Sequence, residues 1–167
     1  CSLSGLSQPY PFHGGAELKL FRRTGGAEGE WIYEEVLNTK MGRNWTNALI
    51  VLLPDYNESG RLNVFAVNTT PDDFESGSIR VYNLSPCKVV LNADQEIHTL
   101  YPLQPVQIDV SGIERNLLPV ALALKEDEEF QLVYRRRWSL RPTIRGVYFL
   151  FTLNGDFSRW YMRNIIL

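Results

Sequence analysis

The chain has little cysteine and little histidine: Cys1, Cys87, His13 and His98 are the whole stock among 167 residues. That stock excludes a zinc site built from several thiolates. There is no apolar run of about 18 residues, so no segment reads as a membrane-spanning helix. Basic excess is missing too. The net charge is −2, and nucleic-acid phosphates require a basic face, so no nucleic-acid partner is expected. The G-x-S-x-G elbow, H-E-x-x-H, a Walker loop and a dinucleotide fingerprint are all absent from the sequence. The chain therefore reads as a non-enzyme, and no metal or cofactor is expected.

What is present is apolar and aromatic. Hydrophobic residues make up 44% and aromatics 12%, a composition that argues against disorder and supports a core without disulfide or metal. The length suits one domain, and a sandwich of about twelve strands would fill it. The opening "CSLSGLSQPYPFHGG" holds Pro9, Pro11 and a glycine pair. Residues 1–15 are therefore expected as an extended arm, with residues 16–167 as a single domain.

Alternation with a period of two dominates the remainder. Leu18 and Leu20 share a face, as do Trp31, Tyr33 and Leu37. Leu62, Val64 and Ala66 oppose Asn63, Phe65 and Val67, and Ile79 and Val81 oppose Arg80 and Tyr82. Val106, Ile108 and Val110 oppose Gln107 and Asp109. These are half-buried strands. "NALIVLLP" and "GVYFLFTLNG" are apolar on both faces, as strands of a covered sheet would be. Turn-forming residues punctuate the runs, and "LPDYNESGRL" and "LKEDEEFQL" read as hairpins. "DDFES" and "SGIERNLL" read as single helical turns. The expected fold is all-β, an antiparallel β-sandwich of immunoglobulin-like or jelly-roll-like kind.

The stretch "YNLSPC" (82–87) poses a choice between chemistry and a corner. Pro86 lacks an N–H and fits poorly inside a central strand, while Asn83 and Ser85 can bond nearby backbone. The corner is the better reading. His98 lies on a run neighbouring Cys87, but a solvated strand histidine accounts for it more simply than a catalytic relay. The carboxylate pairs at 34–35, 72–73 and 126–129 are adjacent in sequence, as solvated turns are, whereas glycosidase acids face each other across a cleft. "PDYNESG" offers oxygen ligands but departs from the calcium-loop pattern.

"YRRRWSLRPTIR" is the most unusual segment. With Leu132, Tyr134, Trp138 and Leu140 as the buried set, Arg135, Arg137 and Arg141 project to the opposite face, joined by Arg145. Such guanidinium groups can grip carboxylates, sulfates or phosphates. The plainer account is pairing with acids such as Glu34 or Glu128, together with protection of a sheet edge by charge. Arg136 breaks the alternation, and a bulge is expected in this strand. Of the four tryptophans, Trp45 in "GRNWTN" is the one placed on a loop, and so the candidate platform for stacking on a sugar. Sequons at Asn44, Asn57, Asn68 and Asn83 mean surface glycans in a eukaryotic secreted protein and turn-rich composition in a bacterial one.

Cys1 at the start of the chain reads as a lipid-bearing residue left by leader cleavage, or as a boundary set near such a cleavage site. A Cys1–Cys87 bridge is the other arrangement, worth about 4–5 kcal/mol by loop entropy.

"ESGSIRVYNLSPCKVVLNADQEIHTLYPLQPVQIDV" resembles a pattern in exported bacterial β-sandwich proteins of uncharacterised activity. Gly77, Arg80, Asn83, Ser85 and Pro86 carry the match. Pro102-Leu103-Gln104-Pro105 departs from it where a glycine usually follows the turn. The resemblance implies a fold and an export route, placing the protein in the periplasm or cell envelope; the lipid-bearing reading of Cys1 would add an anchor there. The expected function is binding of a protein or glycan partner there. A polysaccharide hydrolase, and an accessory subunit assembling through strand edges, are the alternatives.

Overall fold

The computed structural model describes residues 7–26, 30–54, 62–126, 129–152 and 156–167. Strands make up 62% of the chain. Among the described residues the helical turns are two short 3-10 segments, Pro71–Asp73 and Glu114–Asn116, close to where single turns are expected. Among the described residues no helix is long and apolar enough to cross a membrane. The protein is an all-β sandwich, and it divides into two compact units, Cys1–Phe74 and Glu75–Leu167.

The first unit includes an exposed stretch, residues 7–15, without helix or strand. It holds two antiparallel hairpins: β1 (Glu17–Gly25) with β2 (Trp31–Lys40), and β3 (Ala48–Pro54) with β4 (Leu62–Asn68). The alternation expected in β2 buries Trp31 and Tyr33, yet both are exposed; only Leu37 of that set is half-buried. In β4 the buried residue is Val67, on the side expected to face water. β3, apolar throughout, is only half-covered. The strand exits are tied by Thr70, whose hydroxyl accepts from the amides of Thr46 and Asn47.

The second unit contains both four-stranded sheets. Its strands are β5 (Ser78–Asn83), β6 (Val89–Ala93), β7 (Glu96–Leu100), β8 (Pro105–Asp109), β9 (Leu117–Glu126), β10 (Glu129–Ser139), β11 (Arg145–Thr152) and β12 (Trp160–Ile166). One sheet runs β10-β9-β6-β7 and the other β12-β11-β5-β8. All pairings are antiparallel except β5 with β11, a parallel contact that local alternation cannot reveal. Between the sheets, Ile79, Val81, Ile108, Tyr148 and Leu150 meet Leu91, Leu100, Val120, Leu122 and Trp138 in one core. The inward sets expected for β5 and β8 are borne out. Both faces of β11 are buried, as its doubly apolar sequence requires.

Aromatic packing joins the layers. Trp138 of β10 stacks on Tyr148 of β11, with centroids 4.7 Å apart and planes at 18°. Its indole N–H donates to the Tyr134 hydroxyl at 3.1 Å, so the polar atom of a buried ring is satisfied. Trp160 donates similarly to the Phe157 carbonyl.

The Asn83 corner closes the strand β5. Asn83 is fully buried, and its carboxamide N–H groups donate to the carbonyls of Cys87 (2.7 Å) and Leu100 (3.2 Å). Its oxygen accepts from the Ser85 amide and hydroxyl. That hydroxyl has one proton, and the shorter contact assigns it to Asn83; the thiol of Cys87, 3.4 Å away, can then donate to the Ser85 oxygen. The side-chain polar atoms of Asn83 and Ser85 all have partners. Gly77, at the start of the same strand, has φ +80°, and a Cβ there would lie 3.0 Å from the Pro142 carbonyl oxygen. Leu103, standing where the resembled pattern has glycine, adopts φ 59° itself.

Candidate functional site

Pairing registers show which side chains share the outer face of the β10-β9-β6-β7 sheet. One row across the four strands reads Arg135, Ala121, Asn92, Ile97. The next reads Leu132, Ala123, Val90, Thr99. Beyond it, Phe130 stands opposite Lys125, and at the other end Arg137 stands opposite Pro119. The inner rows, such as Tyr134, Leu122, Leu91, belong to the core. The strand β9 thus puts leucine and valine inward and alanine outward.

Alanines at the centre, flanked by larger side chains, make a hollow. Val90, Asn92, Ile97, Ala121, Ala123 and Phe130 line a cavity of about 230 Å³. Drug-sized ligands are held in clefts of roughly 300–1,000 Å³, so this hollow suits part of a larger partner better than a whole small molecule. Around it, Ile97 is 71% exposed, Phe130 62% and Leu132 57%, a concentration of large apolar side chains on one sheet face. Clustering distinguishes it from scattered surface leucines, which are ordinary.

The position of Leu132 corrects the sequence reading of β10. The register shifts between Leu132 and Tyr134, so the bulge expected in this strand is there, at Val133. One extra residue reverses the sidedness of everything before it. Leu132 and Phe130 are carried outward, while Tyr134 and Trp138 keep the inward face. Arg136 shares their parity but reaches solvent at the sheet edge, donating to the Arg135 carbonyl at 3.2 Å.

The four candidate arginines are divided. Arg135 and Arg137 lie on the outer face of β10, beside the hollow. Arg141 is in the turn after β10, and Arg145 begins β11 in the opposite sheet. Neither Arg135 nor Arg137 has an ion pair among the described residues. Glu34, one expected partner, instead pairs with Arg22 at 2.8 Å; Glu128, the other, lies outside the described residues. Glu35 pairs with Lys19, and Asp73 accepts from the Asn68 amide at 2.6 Å.

Trp45 sits on a loop, as expected, but half-buried, with its indole folded over Gly42. The freely exposed tryptophan is Trp31, which carries the Arg23 guanidinium 4.0 Å above its ring. Cys87 is a free, half-buried thiol packed against the core, while Cys1 lies outside the described residues. The "PDYNESG" loop and Asn57 lie outside them also. Among the other sequons Asn44 is exposed, Asn68 is bonded to Asp73, and Asn83 is consumed by the corner.

His98 is less solvated than expected. It shares the inner row with Leu91, and its Nε2 is shielded, 3.3 Å from a Glu96 carboxylate oxygen without hydrogen-bond geometry. No hydrogen bond joins it to Cys87. No group of three metal-ligating side chains occurs among the described residues. Sequence reasoning missed the apolar face because its signal is subtle: alternating large and small residues in "LPVALALK" at 118–125. The chain matches no protein-family model and no curated protein.

Proposed function

We propose that this protein is an exported, non-enzymatic β-sandwich that binds a protein partner at the cell envelope through the outer face of the β10-β9-β6-β7 sheet. The observation that carries the reading is the coincidence, on one face, of an alanine-floored apolar hollow and two arginines without ion pairs among the described residues. Each of Phe130, Leu132 and Ile97 would contribute up to about 1.5–3 kcal/mol if fully buried. Arginine is enriched among interface hot spots, where it can clamp carboxylates bidentately. The complementary partner is a polypeptide segment bearing carboxylates next to an apolar or aromatic anchor. A glycan fits less well, because the lining is mostly aliphatic, with one aromatic ring, Phe130, and one polar side chain, Asn92. Export and envelope location rest on the resemblance carried by Gly77, Arg80, Asn83, Ser85 and Pro86.

A photo-crosslinking amino acid placed at Leu132 tests this in the producing cells, with the exposed Gln104 as control site. Adducts should form from Leu132 only, should map to a peptide rich in acids beside an apolar anchor, and should disappear with Arg135→Glu plus Arg137→Glu. Equal adducts from both sites, or exclusively glycan adducts, would contradict it.

A further inference from the structure

The two four-stranded sheets end in β10, β7, β12 and β8. Three of these edges are guarded. β10 carries the Val133 bulge and the run Arg135-Arg136-Arg137. β7 and β8 are 5 residues long, and β8 begins with Pro105. Short length, bulges, charge and proline all discourage pairing with another chain. β12 differs. It runs 7 residues against β11 without a register shift, and Arg163 is its single charge.

Hydrogen-bond parity shows what that edge offers. Gly146 stands opposite Ile166, and the Leu167 amide donates to the Arg145 carbonyl at 2.9 Å. Odd-numbered residues of β12 therefore bond toward β11, and the amides and carbonyls of Trp160, Met162, Asn164 and Ile166 point away from it. The Leu150 carbonyl, opposite Met162, agrees, since it accepts from Leu84 on the far side of β11. Those outward groups of β12 have no backbone partner among the described residues. Beside them Tyr161 is 38% exposed, Ile166 52% and Leu167 41%.

We infer that β12 pairs antiparallel with β12 of a second copy about a two-fold axis at Asn164, joining two sheets into one. The strand is self-complementary in that register alone. Met162 meets Ile166 of the other copy on the inner side, and Tyr161 meets Leu167 on the outer side, so apolar residues face apolar ones. Arg163 lies opposite Ile165, and the two arginines stand diagonally, about 7–8 Å apart and in water. Moving the axis one residue toward Trp160 would set Arg163 opposite itself. Moving it the other way would set Asn164 against Ile166 and Arg163 against Leu167. The favoured register makes about six backbone hydrogen bonds between copies. A two-fold contact closes on itself, so assembly stops at the dimer. β12 belongs to the sheet opposite the hollow, and the dimer stands or falls independently of the binding role proposed above.

Sedimentation equilibrium and a photo-crosslinking amino acid at Leu167 test the pairing. Wild type should show a monomer–dimer equilibrium and nothing larger. Ile166→Lys and, separately, Leu167→Lys each remove two symmetry-related apolar pairs, and each should raise the dissociation constant on the order of tenfold. Both variants are checked for an unchanged melting temperature, and either one that folds suffices. The crosslink from Leu167 should map to Tyr161. These residues lie about 20 Å apart along one strand, so the adduct has to join two copies. A wild type monomeric at all accessible concentrations overturns the inference, as does a dimer indifferent to both substitutions. So does an adduct that maps elsewhere on a second copy.

Discussion

The carboxamide oxygen of Asn83 accepts two hydrogen bonds from Ser85, one from its amide at 2.9 Å and one from its hydroxyl at 2.7 Å. With the Asn83 amide group holding the Cys87 and Leu100 carbonyls, one side chain ties the end of β5 to its corner and to β7. Asn83→Ala leaves a buried donor and two carbonyls without their partner. At ~1–3 kcal/mol for an orphaned buried group, partly relieved by water, the expected loss is on the order of 3 kcal/mol. Urea denaturation reads it as a lower midpoint with unchanged slope.

Backbone handedness gives a pair of opposite outcomes. Gly77→Ala forces a side chain into a left-handed conformation against the Pro142 carbonyl and should cost roughly 2 kcal/mol. Gly112→Ala, where a Cβ would meet nothing within 4 Å, is the control and should change stability little. Leu103→Gly relieves a left-handed leucine. Its expected gain is on the order of 0.5 kcal/mol, the strain removed less the entropy that glycine adds to the unfolded chain. Thermal melts of the three variants should rank Leu103→Gly first and Gly77→Ala last.

Two exposed aspartates titrate low for reasons that differ in order. The backbone amide of Ser111 foremost, then its hydroxyl, hold Asp109 below the ordinary aspartate value of 3.8. For Asp156 the Ser158 hydroxyl leads, followed by the Ser158 amide. A carboxyl whose folded value is depressed stabilises the protein fully above its unfolded value, and that contribution disappears as pH falls through the folded value. Carboxyl-detected NMR should therefore place both midpoints in the acid region below 3.8. Ser158→Ala should move Asp156 toward that value more than Ser111→Ala moves Asp109. Equal movement would remove the distinction.

The β-character of the chain was legible because inward and outward residues differ in polarity along β5 and β8. The corner at Asn83 was legible from proline and asparagine chemistry. Where polarity fails as a marker, sidedness was lost. β9 is apolar on both faces, and only the size difference between Leu118, Val120, Leu122 and Leu124 inward and Ala121 and Ala123 outward records its orientation. β10 misled because one residue, Val133, shifts the register, and the break in alternation at Arg136 announced a bulge without fixing its place. Trp31 and Tyr33 misled for a different reason: aromatic rings usually indicate a core, and here they coat an open ribbon. The expectation that a candidate site would be marked by charge pointed to Arg135 and Arg137 and overlooked the apolar hollow beside them.

Val133 is the extra residue between the outward Leu132 and the inward Tyr134. Deleting Val133 removes the extra residue while leaving Leu132 outward and Tyr134 inward, so the pairing with β9 becomes regular. The expected result is a folded protein with the hollow preserved, at a stability cost of about 1–3 kcal/mol for the lost packing of one partly buried valine. Complete unfolding would show instead that the bulge is needed to fit β10 against the core.

The most direct test of the account is the Leu132 photo-adduct yield in an Ala121→Glu background, compared with the same yield in wild type. Ala121 lies on the outer face directly opposite Arg135, so a glutamate there should neutralise the arginine and fill the hollow without disturbing the core. The account predicts that the adduct is lost while the melting temperature is kept. An undiminished adduct in a normally folded variant would contradict it.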